Sequence, residues 1–464
     1  MSRNESDTQT IQPRFPFASR RTWGDDDLAR IFEAEVGLLS VANRRGFFAG
    51  VASVAFARDA VACLARASEV AEGRQVGDLA GSEDYWAEVR RAFDADRTLI
   101  NLNHGGVAPS PSGVLEAMIR DLRFANVAPA YHMWDVLEPR VESVRREIAR
   151  EFGCDPEEMA VTRNASEGMQ TLISGLDLKA GDEVVVSDQN YGRMQTAWDQ
   201  RARRDGVVVK KISLGGPSPG NDEVVGRFRA AMTDRTKVVE VAHVVNLTGA
   251  ILPVREVVAM ARERGAATFV DGAHAFAHFP FTLADLDCDY YATSLHKWLL
   301  APIGTGFLYV RKPLIPKVWP LMAATEAMAG DIRKFEEIGT HPAANHNGVA
   351  AALSFHRAIG GERKAARLRF LRDRWATRLA DATPRARLLS PPESGRSCGI
   401  GLLHVDGIDP AALKARLWEK HRIITVAIKH AEFSGLRVTP NVDTSVEDID
   451  VFVEAVTKAV AAMA

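Results

Sequence analysis

Lys297 stands in the run Tyr290-Tyr-Ala-Thr-Ser-Leu-His-Lys-Trp-Leu, 26 residues after Asp271 in Thr268-Phe-Val-Asp-Gly-Ala-His. An acid closing one apolar run and a lysine just past the next suit a single chemistry. A lysine amine forms a Schiff base with an aldehyde. A carboxylate keeps a pyridine nitrogen protonated, so that the ring withdraws electrons. Pyridoxal 5'-phosphate (PLP) needs both groups. Taken singly, Asp271 reads equally well as a turn residue and Lys297 as a surface lysine. The pair, with its flanking residues, points to PLP.

Further candidates fall after other apolar runs, where open parallel sheets bind their ligands. Arg163-Asn-Ala-Ser-Glu-Gly follows a strand and opens a helix. The free N–H groups of such a terminus suit a phosphate, which makes Ala165 and Ser166 candidates. Asn164 there also has the plainer reading of a helix cap. Tyr191 follows Glu183-Val-Val-Val-Ser and could stack on a pyridine ring. His243 and Asn246 follow Lys237-Val-Val-Glu-Val-Ala, and an Asn amide suits a phenolic oxygen. His274 shares the Asp271 turn. Ser294 and His296 precede the lysine and can donate to phosphate oxygens. Gly304-Thr-Gly306 lets the chain turn tightly behind it.

The elements that must position these residues alternate. From about residue 95 to about 312, short apolar strands without polar alternation follow one another, separated by helical segments. Such strands are buried on both faces, which predicts an α/β fold with a large, mostly parallel sheet. After residue 345 the pattern changes to a long helical stretch reaching Ala382. The strands Gly399–Val405, near Ile423 and around Leu436 follow, with helices Pro410–Lys420 and Val446–Met463. These predict a smaller α+β domain. The expected division is an N-terminal extension over 1–85, a large PLP-binding domain over 86–345 and a small C-terminal domain over 346–464.

The chain has 464 residues, which favours more than one domain. A net charge of -2 gives no electrostatic case for nucleic acid or an acidic membrane surface. Cys63, Cys154, Cys288 and Cys398 are scattered with no CxxC pair, so no metal site or disulfide framework is expected. Asn43-Arg-Arg-Gly-Phe-Phe-Ala-Gly followed by Val51–Ala57 resembles a twin-arginine export signal. An amphipathic helix over 44–70 fits the same residues, so cytoplasm and periplasm both stay open. The apolar run is too short to span a bilayer. A nucleotide-binding Rossmann reading fails for want of GxGxxG after an early strand.

The set Asp-Gly-Ala-His, Ser-Leu-His-Lys and Pro302-Ile-Gly-Thr-Gly-Phe-Leu-Tyr-Val resembles the class V aminotransferase family of fold-type I PLP enzymes. That family includes cysteine desulfurases and isopenicillin-N-epimerase-like proteins. The resemblance covers roughly residues 95–460. It implies that Lys297 carries the Schiff base and that Asp271 pairs with the pyridine nitrogen. It places His274 at the phenolic oxygen, Tyr191 on the ring, and Ser294, His296, Ala165 and Ser166 around the phosphate. It further implies that Thr340, in Glu337-Ile-Gly-Thr, reaches the phosphate of a neighbouring subunit in a homodimer. Arg437, in Gly435-Leu-Arg-Val-Thr-Pro, matches the arginine that grips the substrate carboxylate, a bidentate task suited to a planar guanidinium. One departure matters. Val426-Ala-Ile-Lys-His-Ala-Glu-Phe-Ser-Gly, in the loop where desulfurases carry a nucleophilic cysteine, has none. The expected function is a PLP enzyme acting on a small amino acid or related amine through an external aldimine, by transaminase- or epimerase-like chemistry. A C–S or other β-lyase, or a PLP-fold protein that binds or regulates without turnover, is the alternative.

Overall fold

The computed structural model describes residues 62–463. The twin-arginine run lies outside them. Strand β1 (Ile100–Asn101) stands apart from the large sheet, whose strands are β2 (Met159–Thr162), β3 (Glu183–Ser187), β4 (Val208–Ile212), β5 (Thr236–Ala242), β6 (Ala267–Asp271), β7 (Tyr290–Ser294) and β8 (Gly306–Val310). They lie in the order β2-β8-β7-β6-β5-β3-β4. Strand β8 runs antiparallel to both neighbours; every other pairing is parallel. Helices over 165–175, 192–205, 221–231 and 254–263 make the connections.

Successive residues explain why these strands are apolar throughout. Val185, Val239, Val270 and Tyr291 join one core, while Val184, Val238, Phe269 and Tyr290 join the other. Side chains alternate faces along a strand, so a sheet covered by helices on both sides must be apolar at both sets of positions. Edge strand β4 is the exception, with exposed or half-buried residues along its length.

A second, four-stranded antiparallel sheet contains β9 (Ala386–Leu388), β10 (Gly401–Val405), β12 (Val426–Lys429) and β13 (Ser434–Val438), in the order β12-β13-β10-β9. Strand β11 (Ile423–Ile424) pairs instead with β1, in parallel. The stretch Val426–Gly435, expected as a loop, is therefore mostly a hairpin. Ile428 anchors it, buried against Leu402 and Phe433.

The long helical stretch after residue 345 is two helices, Ala343–Ile359 and Gly361–Ala382, broken at Gly360 with φ +86°. That backbone geometry suits glycine and ends a helix. The expected boundary at 345 falls inside the first helix, which packs on helices Ser112–Val127 and Glu138–Phe152. The boundary at 85 falls inside helix Glu83–Arg90, which buries Tyr85 and Trp86. Among the described residues, no helix is long and apolar enough to cross a membrane.

Candidate active site at the carboxyl ends of the central strands

A cleft of about 940 Å³ opens at the carboxyl ends of the sheet strands. Ala165, Ser166, Tyr191, Asn246, Asp271, His274, Ser294, His296, Lys297 and Arg437 all line it. Of the residues singled out in the sequence, Thr340 and His243 do not. Thr340 is exposed and is not among the lining residues. His243 packs its ring against Phe279, Phe281 and Tyr291, and burial lowers its pKa to about 3. It is a core residue, because strand alternation turns it away from the ligand face.

Asp271 closes β6. Its Oδ1 accepts the Ala273 N–H at 3.0 Å. No protein donor is seen at Oδ2 among the described residues. Burial raises its pKa, against the opposing pull of that N–H and of Lys297. The turn after it requires glycine. A Cβ on Gly272 would lie 1.9 Å from the Tyr291 ring, and Thr293 Oγ1 donates to the Gly272 carbonyl at 2.8 Å.

Lys297 Nζ lies 3.2 Å from His274 Nε2. Desolvation lowers the lysine to about 8; the Asp271 carboxylate resists this and Arg437 adds to it. Burial, reinforced by the charge of Lys297, holds His274 well below the usual imidazole range, so it is neutral. An ammonium can only donate, so His274 Nε2 accepts and Nδ1 carries the proton. That Nδ1 is buried with no partner. Three residues after Lys297, Leu300 holds left-handed backbone, φ +66°, as does Ala277, three residues after His274, at φ +59°. This conformation costs a non-glycine residue about 1–2 kcal/mol. A second desolvated lysine, Lys364, is lowered to about 7, but it is sealed in the core against the Trp298 carbonyl and does not reach the cleft.

Helix Ala165–Gly175 aims its N-terminus into the cleft. Asn164 caps it, accepting the Glu167 N–H at 2.9 Å, while the Ala165 N–H donates to Ser294 Oγ at 3.0 Å. Cap and cradle are thus both present. Gly306 permits the approach, since a Cβ there would sit 2.7 Å from Asn164 Cα. His296 Nδ1 donates to the Thr305 carbonyl at 3.2 Å. Its Nε2 can therefore donate to an anion only as the imidazolium.

Arg437, on β13, is 7% exposed. Its Nη1 donates to the Asn246 carbonyl at 3.0 Å and its Nη2 to Asn103 Oδ1 at 2.9 Å, while Nε is buried without a partner. Desolvation lowers its pKa to about 10. No carboxylate among the described residues pairs with it. A buried guanidinium without an anion is costly, so the site is built for an anion that arrives.

The sequence reading missed several residues. Gly105 and Gly106 line the cleft, as do Gln170, Arg193 and Thr196. Glu240 on β5 is wholly buried, raised to about 7 by desolvation, and accepts from Trp198 Nε1 and, at 2.8 Å, from Asn190 Nδ2. Its signal was visible: a lone acid inside an apolar strand. Arg193 and Thr196 gave none, because exposed polar residues on a helix are ordinary.

The donors fit PLP chemically. A capped helix terminus and a hydroxyl suit a phosphate, whose charge would offset the burial and the Lys297 charge that lower His296; a carboxylate with a free oxygen suits a pyridinium; and a desolvated amine suits an aldehyde. The unpartnered Nδ1 of His274 is a further donor with no protein acceptor.

Residues 100–439 match the family described as Aminotransferase class-V. The chain is 31% identical to isopenicillin N epimerase of Streptomyces clavuligerus, covering 80% of this chain and 97% of that protein. It is 33% identical to the isopenicillin N epimerase of Amycolatopsis lactamdurans, over 78% and 96%. A cysteine desulfurase from Escherichia coli in its S-sulfonic acid form shares the fold, with a TM-score of 0.71 at 24% identity over 81% and 98% of the chains. On the family match and the two epimerases, the chain belongs to the class V aminotransferases, and it is a PLP-dependent enzyme.

Proposed function

We propose that this enzyme moves the α-proton of a small amino acid or amino-acid-like amine, with epimerase-like chemistry. The observation that carries the reading is the meeting of Lys297, Asp271 and Arg437 in one cleft. Lys297 would hold the cofactor covalently. Asp271 would keep its ring nitrogen protonated, Tyr191 would stack on the ring, and Asn246 and His274 would meet the phenolic oxygen. Ala165, Ser166, Ser294 and His296 would hold the phosphate. PLP, when bound, supplies a sink for the electrons of the α-carbon. Arg437 grips the substrate carboxylate and holds one face of the α-carbon against Lys297, so that inversion takes its returning proton from solvent on the opposite face. Once released, the Lys297 amine is a base suited to neutral pH, since desolvation has already weakened its hold on a proton. His274, 3.2 Å away and neutral, orients that amine by accepting its hydrogen bond at Nε2.

The two epimerases, matched over nearly their full lengths, support this reaction over others. Transamination shares the same first proton transfer and stays the alternative within it. A desulfurase-like lyase is less supported. The hairpin Val426–Val438 carries no cysteine, and Cys398 is buried with its thiol pushed up to about 11. The test is incubation of the purified holoenzyme with separate L- and D-amino acids in D2O. Chiral analysis and α-deuterium content would name the reaction. Conversion of one enantiomer to the other with deuterium uptake is expected; loss of a β-substituent or formation of an oxo acid would replace the reading.

We also infer a homodimer with shared sites. Thr340 stands outside its own chain's cleft. Trp134, Trp319, Leu321 and Met322 are large apolar residues left exposed, and Leu321 lies at the cleft itself. Trp319, Leu321 and Met322 are grouped within four residues, and exposed apolar side chains grouped beside a cleft support the reading of an interface. Light scattering at micromolar concentration should give twice the chain mass; a fully active monomer would overturn the shared site.

A further inference from the structure

Arg437 is held by a segment more than 300 residues away in sequence, and that segment is itself fixed in an unusual way. Asn103 Oδ1 accepts from Arg437 Nη2 at 2.9 Å. The chain on either side of Asn103 is laced to Thr439. The Thr439 N–H donates to the Leu102 carbonyl at 2.8 Å, the His104 N–H to the Thr439 carbonyl at 3.2 Å, and the Gly105 N–H to Thr439 Oγ1 at 3.0 Å. His104 then closes the frame. Its Nδ1 meets the Thr439 carbonyl at 3.1 Å and its Nε2 meets Asp443 Oδ2 at 3.2 Å, with both side chains buried. A buried ionic pair whose members come from two distant segments fixes their relative position, because separating it strands charge away from water.

The residue type at 103 is informative. A buried arginine is usually neutralised by a carboxylate. Here the acceptors are an amide oxygen and a main-chain carbonyl, which orient the guanidinium and leave its charge unspent. An aspartate at 103 would give the same geometry but would occupy the cation that an incoming carboxylate needs.

We propose that Asn103, fixed by the His104–Asp443 pair, is a positioning residue that aims Arg437 at the substrate carboxylate while keeping it unneutralised, and so sets the preference for α-carboxylate amines. This rests on the reading of Arg437 given above, and it extends that reading to a residue outside the cleft wall. Asn103 itself does not line the cleft, so its substitution should leave cofactor content unchanged.

The experiment titrates holoenzyme with L-alanine and with ethylamine, its carboxylate-free counterpart, following the cofactor absorbance. The readout is the ratio of the two apparent affinities. Arg437→Ala is the reference and should collapse that ratio by about 30-fold or more. Asn103→Asp should collapse it comparably, with ethylamine binding and cofactor content unchanged. Asn103→Ala, which loses the aim but not the charge, should lower it several-fold and covers the case in which the aspartate variant does not fold. If Arg437→Ala collapses the ratio and both Asn103 variants leave it at the wild-type value, the positioning role is overturned while the reading of Arg437 stands. If Arg437→Ala leaves the ratio unchanged, the carboxylate reading falls, and the role of Asn103 falls with it.

Discussion

The two walls of the cleft are built by different means. The reactive part of the cofactor wall, Asp271 and Ser294–Lys297, comes from short runs at the ends of two neighbouring strands. Asp271 on β6 faces Ala292 on β7, and the Gly272 N–H donates to the Ala292 carbonyl at 2.8 Å, so the Asp271 turn and the Ser294–Lys297 run are set by one strand pairing. The substrate wall has no such short connection. Arg437 sits on the antiparallel sheet, and its two partners, Asn246 in the cleft and Asn103 behind it, come from two other distant segments. Chemistry is therefore held by local backbone, and selectivity by the seating of one sheet against the other. Substitutions in the first wall should stop the reaction without unseating the chain. Those in the second should change which amines are accepted.

The sharpest form of that contrast is Lys297→Ala. It should retain the fold, lose the covalent link to the cofactor, and reduce turnover by about a thousandfold or more, since it removes both the attachment and the proton carrier. Borohydride reduction of the wild-type holoenzyme followed by peptide mapping should place the pyridoxyl group on Lys297. A label on Lys364 would break the contrast, because it would put the chemistry in the core rather than in the strand-end wall.

Asp271→Asn tests the same wall without removing the attachment. A neutral amide cannot hold the ring nitrogen protonated, so turnover should fall about 100-fold or more while PLP is retained. Near-wild-type rates would mean that Asp271 only shapes its turn. Arg437→Ala belongs to the other wall. It should raise KM for carboxylate substrates by an amount equivalent to about 2–5 kcal/mol, with little change in cofactor affinity. Equal losses for amines with and without a carboxylate would erase the distinction between the walls.

The same division explains what the sequence disclosed. The cofactor wall was legible because its residues are contiguous and its strands are apolar on both faces, so strand, turn and reactive group appear together in one run. Helix Val446–Met463 was legible to the residue because its apolar spacing is regular. Arg437 was found only through the family likeness, and Asn103 was passed over as part of a polar turn. No local pattern in residues 99–106 says that an amide there will meet a guanidinium on another sheet. The hairpin Val426–Val438 was taken for a loop because its first strand is short and half exposed. That His243 turns into the core was not legible for a simpler reason: lying after a strand does not say which face a side chain takes.

The smallest effect expected is also the one that ties the substrate wall to stability. Burial alone would depress His104, but the Asp443 carboxylate and the Thr439 carbonyl outweigh it and the imidazole is raised. Burial alone would raise Asp443, but His104 outweighs that and the carboxyl is lowered. The signs follow from linkage. A raised histidine gives stability that is complete below its unfolded value, near 6.5, and is lost as pH rises through its higher folded value. A lowered aspartate gives stability present above about 3.8 and lost as pH falls through its lower folded value. The pair is thus worth most between roughly pH 4 and 6.5. His104→Gln should cost more stability at pH 6 than at pH 9, with a difference of about 1 kcal/mol for each unit by which the histidine is raised. Denaturant unfolding of wild type and variant at the two pH values measures it. The L-alanine to ethylamine ratio of wild type should fall over the same alkaline range, as the frame around Asn103 loosens. If the variant costs the same at both pH values, His104 is neutral in the fold, and the substrate wall is held by main-chain hydrogen bonds rather than by charge.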